Sequence, residues 1–160
     1  MRVMPTLEGG LRIEIDSAID WLILEHISSD ALDDDGERLP ERLGALMDEQ
    51  SEWDELVIPE LRVIFAGQVG KVAEAIRSAQ AEVEVGGEEA SGAVSIGKED
   101  GDDWYGALNQ ARLGLEGRYH FGQAEVVSGV DDWSEDKRYA FVRSQCFGQL
   151  QSVLLEYVIE

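Results

Sequence analysis

The chain has little of what carries most recognisable chemistry. In 160 residues it holds one cysteine, three prolines, two histidines and, among 13 basic residues, three lysines. A lone Cys146 forms no intramolecular disulfide and no thiolate metal cage. Neither histidine, His26 or His120, has a second His or Cys at helical spacing; Ser29 and Asp30 stand three and four residues after His26. There is no Gly-x-Ser-x-Gly elbow. Long apolar runs are missing too. Met1 to Gly10 lacks the apolar stretch of a signal peptide. The uncharged run Ser144 to Leu155 has 12 residues and includes Gln and Ser, against about 20 apolar residues needed to span a bilayer. A cytoplasmic location is therefore expected.

Positive charge is scarce. Asp plus Glu number 34 against 13 Lys plus Arg, a formal net charge of -21. Nucleic-acid affinity comes largely from Lys and Arg neutralising phosphates. The densest basic cluster, Lys137-Arg138 with Arg143, is closely flanked by acids. Neither nucleic acid nor a membrane is expected as a partner. The acid surplus instead favours solubility and the steering of cationic partners. An acidic, lysine-poor surface also suits a salty interior or habitat.

What is present is helical periodicity. Leu11, Ile13 and Ile15 alternate with polar residues and predict a short strand after Gly9-Gly10. Ser17 with Asp20 reads as a capping box opening a helix over 17–28, with Asp16 as a competing cap. Pro40 starts a short helix to about 50. Ser51 with Asp54 opens another, which Pro59 either kinks or restarts. Leu61, Phe65, Val69, Val72, Ile76 and Ala79 then step by three and four along one long amphipathic helix. Ala93 to Ile96 is a short β-like run able to pair with 11–15. Asp102 or Asp103 caps a helix with Trp104, Leu108, Ala111, Leu115 and Tyr119 on one face. Residues 122–133 form a loop. Ser134 opens a last helix with the face Tyr139, Val142, Cys146, Leu150, Val153 and Tyr157, widened by Phe147, Leu154 and Val158. That breadth predicts a helix at the centre of the bundle.

Several segments imitate sites. With Gly36 at position 6 of a calcium loop, positions 1 and 12 would be Ala31 and Arg42, and both fail as ligands. A solvated acidic loop is expected there, and no metal or cofactor is implied. Gly67 to Lys71 resembles a phosphate loop, but Phe65 and Val72 stand where Gly and Ser/Thr are needed. In a helix, Gly67 and Gly70 lie opposite the core face and cost roughly 1 kcal/mol each relative to Ala. They would allow another helix, of this chain or a second one, to approach closely. Trp21 and Leu24 lie away from Ile19 and Leu22, so either that helix is buried on two sides or Trp21 and Leu24 are a contact surface. Arg112 borders an apolar face beside Asn109, with Glu116 available as a partner at i+4. A buried thiol is the default for Cys146.

From Trp104 to Leu115 (Trp-Tyr-Gly-Ala-Leu-Asn-Gln-Ala-Arg-Leu-Gly-Leu), and again at Leu150-Gln151-Ser152-Val153-Leu154, the chain resembles a bacterial family common in actinobacteria, domain of unknown function two-zero-one-seven. The order of elements is similar as well. The resemblance implies a small helical cytoplasmic protein with no established activity. Family members often lie beside the gene for the Clp-protease adaptor, which points toward protein quality control. The positions carried over as a possible polar site are Asn109, Arg112 and Gln151. The acidic stretches at 30–37 and 84–103 look unlike typical members.

The expectation is thus one mainly α domain over 1–160, a bundle of four or five helices with a minor two-stranded β element. The leading function is a non-enzymatic protein-interaction or regulatory module with an acidic surface, binding a protein partner or itself through Trp21, Leu24, Gly67 and Gly70. The alternative is a small-molecule binder or hydrolase with its site at Asn109, Arg112 and Gln151. Cation binding by the acidic loops is a third possibility.

Overall fold

A computed structural model describes residues 1–31, 39–47, 52–86, 91–122 and 132–159. Among these residues the fold is mainly α, with five helices and a small antiparallel sheet. The elements run β1 (Arg2–Pro5), β2 (Leu11–Ile15), α1 (Ala18–Asp30), α2 (Leu39–Gly44), α3 (Trp53–Gly86), β3 (Gly92–Ile96), a 3-10 turn at Lys98–Asp100, α4 (Gly101–Tyr119) and α5 (Glu135–Tyr157). No helix among the described residues is long and apolar enough to cross a membrane.

The sheet has three strands, not two, in the order β1-β2-β3. The expected pairing of 11–15 with 93–96 is present, with Leu11 opposite Ile96 and Ile13 opposite Val94. The extra strand pairs Arg2 with Glu14 and Pro5 with Leu11. Its side chains are mostly exposed, so it carries no two-residue alternation to betray it. Gly9 closes the hairpin with φ +83, and Thr6 Oγ1 accepts from the Gly10 amide at 3.1 Å. Leu11, Ile13 and Ile15 point into the core with Val94 and Ile96.

Capping signals are obeyed at α1 and α5. Ser17 accepts from the Asp20 amide, and Ser134 from the Lys137 amide, each at 3.3 Å. Asp16 does not cap; its own amide donates to Asp20 at 3.1 Å. Pro59 does not end its helix, because α3 runs unbroken for 34 residues, about 51 Å. Ser51 lies outside the described residues. α4 begins at Gly101, so Asp102 and Asp103 sit in its first turn rather than at its cap, where they still complement the helix dipole.

The centre of the bundle is α4, not α5. It touches α1, α3 and α5. Trp104, Ala107, Leu108, Ala111 and Leu115 are buried on it. Its many small residues are the reason, since they let three helices come near. At Gly114 a Cβ would collide with the Asp30 carbonyl oxygen, so the end of α1 rests directly on the α4 backbone.

Two helix faces are rotated from expectation. α1 buries Trp21, Leu24 and Ile27 and leaves Ile19 and Leu22 exposed. Its sequence is apolar on both sides, so periodicity alone does not choose. The choice falls to Trp21, whose ring fills the space over Gly92, where a Cβ would lie 2.8 Å from Cζ2. α5 buries Ala140, Ser144, Phe147, Leu150, Gln151 and Leu154, while Tyr139, Val142 and Tyr157 face outward. The buried stripe is the one with small residues, which permits contact with α4. Tyr119, Phe121, Trp133 and Phe141 stack in a chain of rings that joins the end of α4 to the start of α5. Lys137 lies 4.5 Å from the Trp133 ring and donates to the His120 carbonyl oxygen.

Candidate functional site

The polar residues singled out on α4 and α5 are partly brought together. Arg112 Nη1 donates to Gln151 Oε1 at 2.6 Å, and Gln151 Nε2 donates to the Tyr105 carbonyl oxygen at 3.3 Å. The guanidinium lies across Gly148, where a Cβ would stand 3.4 Å from Cζ. Gln151 is buried. Arg112 therefore reaches across to α5 rather than to Glu116, whose Oε1 instead accepts from the Gly122 amide. Asn109 is half-buried, and among the described residues no bond joins it to either partner. A second tie of the same kind links α4 to α3: Gln110 Nε2 donates to Gln68 Oε1 at 2.9 Å. These contacts satisfy polar groups between packed helices, as buried polar groups require.

The most buried charge was not among those candidates. Asp30, at the end of α1, is 1% exposed. Arg143 of α5 grips it with Nε on Oδ2 at 2.6 Å and Nη2 on Oδ1 at 2.9 Å, and Arg118 of α4 approaches to 3.9 Å. A forked guanidinium matches a carboxylate in this way, and two charges this dry must be paired. The sequence did carry a signal: Trp21, Leu24, Ile27 and Asp30 step by three along one stripe, and the three apolar members are core. Asp30 is thus a structural lock between α1, α4 and α5. His26 does not contribute, since its Nδ1 donates to the Leu22 carbonyl oxygen at 2.7 Å.

The lone thiol is not prepared as a nucleophile. Cys146 is half-buried and free, and burial, then the negative charge of Asp20, pushes its thiol up. A raised pKa suppresses the thiolate that catalysis would need. Among the described residues no group of three or more His, Cys, Asp or Glu side chains converges as a metal site. The calcium-like stretch beyond Ala31, with its Gly36, and most of the loop at 122–133 lie outside the described residues.

The cavities lie elsewhere. One of about 800 Å³ sits between α2 and the start of α3, lined by Glu41, Gly44, Trp53, Asp54 and Ile58. Arg62 Nε donates to Glu41 Oε1 there at 2.6 Å, while Glu41 Oε2 and Trp53 Nε1 are buried without partners among the described residues. Another, of about 340 Å³, is a mainly apolar groove between the end of α1, Pro40 of α2, and Phe65, Val69, Gly70 and Ala73 of α3.

The expected contact surface divides. Trp21 and Leu24 are 7% and 0% exposed, inside this chain's own core, and so are unavailable to a partner. Gly67 and Gly70 behave differently. A Cβ built on either meets nothing within 4 Å. Among the described residues no helix of this chain meets them, and the α3 positions they occupy are exposed. Leu56, Val63 and Ile64 are 61%, 74% and 52% exposed on the same helix.

No curated protein and no solved structure matches the chain. The family described as Domain of unknown function (DUF2017) matches residues 16–158, from the end of β2 to the end of α5. With nearly the whole helical bundle inside that span, the chain belongs to the DUF2017 family.

Proposed function

We propose that this chain is a non-enzymatic protein-interaction module whose docking face is the outer side of α3, flanked by the end of α2. The supporting observation is the exposure of large apolar side chains there: Leu56, Val63 and Ile64 on α3, and Leu46 and Met47 just after α2. Scattered exposed apolar residues are ordinary, but Leu56 and Val63, seven residues apart, share one face of α3 on a helix that also borders an apolar groove, and this supports an interaction surface. Of the polar candidates, Arg112 of α4 and Gln151 of α5 are taken up by a helix-to-helix bond, which supports a structural role for those two. The acid surplus of the chain as a whole would shape the salt dependence of binding.

The test is a pull-down from source-cell extract with the intact tagged protein, washed with rising salt, beside its Val63→Glu variant. Retention of a protein, or of further copies of this chain, that is lost in the variant is the expected result. A monomer that retains nothing, or retention indifferent to Val63→Glu, overturns the reading.

A further inference from the structure

We infer that the open face of α3 is a self-association surface, on which a second copy of this chain packs its own α3 antiparallel, crossing at Gly67 and Gly70. This rests on the interaction-module reading and names the partner. The face is continuous: Leu56, Glu60, Val63, Gly67, Gly70, Glu74 and Arg77 recur at steps of three and four, and every one is exposed.

The glycines supply the first argument. Gly106, Gly114, Gly117 and Gly148 each have a neighbour of this chain where a Cβ would sit, so each is explained by packing. Gly67 and Gly70 have none, although both stand in the middle of a helix. Glycine weakens a helix interior, and small residues at a crossing let two backbones come close. With no neighbour to receive among the described residues, the pair points to a helix from outside the chain.

Charge supplies the second argument. From Leu61 to Ala81 the chain has three bases, Arg62, Lys71 and Arg77, and a single acid, Glu74; Arg62 pairs with Glu41, Lys71 with Asp103 and Arg77 with Glu74, so an incoming Glu60 would join the Arg77–Glu74 pair. This is an acid-depleted segment in a protein of net charge -21. Two such acidic copies repel least where the acids are missing. The register then follows from the sequence. A twofold axis at the level of Gln68 and Val69 sets Gly67 opposite Gly70 of the other copy and Glu60 opposite Arg77. A parallel arrangement would set Glu60 on Glu60 and Arg77 on Arg77. Twofold symmetry doubles each favourable pair, and a shallow crossing of about 20° keeps the flanking charges within reach. Ala66, Gly70 and Ala73 also border the 340 Å³ apolar groove, so the second helix would cover part of it. One helix pair is a small interface, which places the dimer in roughly the micromolar range.

The test is the mass of the intact protein by light scattering, across roughly 1 to 100 µM and at low and high salt. The expected result is a concentration-dependent dimer that strengthens as salt screens the mutual repulsion. The double variant Gly67→Ala with Gly70→Ala should melt higher than the native protein yet dimerise roughly tenfold more weakly or not at all. Glu60→Arg and Arg77→Glu should each weaken the dimer, and the two together should restore it. A monomer at every concentration and salt overturns the inference. So does a dimer indifferent to these variants. If the monomer still captures a different protein in the pull-down, the interaction-module reading stands and only its occupant has changed.

Discussion

Removing the guanidinium from the buried Asp30 lock should be among the most damaging single changes available. Asp30 is 1% exposed, and Arg143 holds it through two bonds of 2.6 and 2.9 Å. Arg143→Met keeps most of the side-chain bulk but strands the carboxylate in the core. Breaking a buried pair in this way costs about 3–5 kcal/mol. Arg118, 3.9 Å away, remains to compensate in part, so the lower end applies, about 3 kcal/mol. For a chain of this size that is a fall in melting temperature of roughly 6–12 °C. Urea unfolding followed by circular dichroism measures it. Asp30→Leu combined with Arg143→Met removes both charges and should be less destabilised than Arg143→Met alone, because the penalty is for the orphan and not for the missing pair. A loss under about 1 kcal/mol for Arg143→Met, or a double variant worse than the single, would refute the reasoning.

Three further outcomes are expected. Gly114→Ala should destabilise by about 1–3 kcal/mol in the same urea assay, because its Cβ would strike the Asp30 carbonyl oxygen and push α1 off α4; a neutral result would mean that α1 does not rest there. The Met1 amine donates to Asp20 at 3.0 Å, and this bond, against some burial, raises the amine's pKa. Burial works against the Asp20 carboxylate, but its bonds from the Met1 amine and the Asp16 amide carry its pKa below the ordinary range. The amine's share of stability is therefore full below its ordinary pKa and lost as pH rises through the raised one. The carboxylate's share is full above the ordinary carboxylate range and lost as pH falls through the lowered value. Asp20→Asn should flatten both flanks of a plot of urea midpoint against pH, and unchanged flanks would exclude the pair as their cause. Finally, Cys146 should react with a disulfide reagent several-fold more slowly in the native protein than after unfolding, since burial and Asp20 hold the thiol protonated; equal rates would contradict that.

How far the sequence could be read follows from what each signal depends on. Caps depend on neighbours a few residues apart, and Ser17 and Ser134 begin their helices as expected. The β2–β3 pairing was legible because Leu11, Ile13 and Ile15 alternate. The buried stripes of α1 and α5 were not, because both helices are apolar on more than one side. There the partner surface decides, through Trp21 over Gly92 and through the small residues of α5 against α4. Arg112 and Gln151 could be picked out as polar residues beside apolar faces, but only the helix arrangement shows that they bond to each other. Asp30 continues the stripe of Trp21, Leu24 and Ile27, but it also opens an acidic run, and its partner Arg143 lies 113 residues away, so the pair itself was not legible.

The same dependence separates the glycines. On sequence alone, Gly67 and Gly114 are equivalent interruptions of an amphipathic helix. Only the packed chain divides them, by placing a carbonyl oxygen against Gly114 and, among the described residues, nothing against Gly67. A glycine that receives a neighbour stabilises the fold through the contact it admits. One that receives none leaves the folded chain weaker than alanine would. The acid-poor stretch around Gly67 and Gly70 has the same character, for it does nothing for the solubility that the acids elsewhere provide. Both features weaken the isolated chain and favour contact with something outside it, and they coincide on one exposed face of α3.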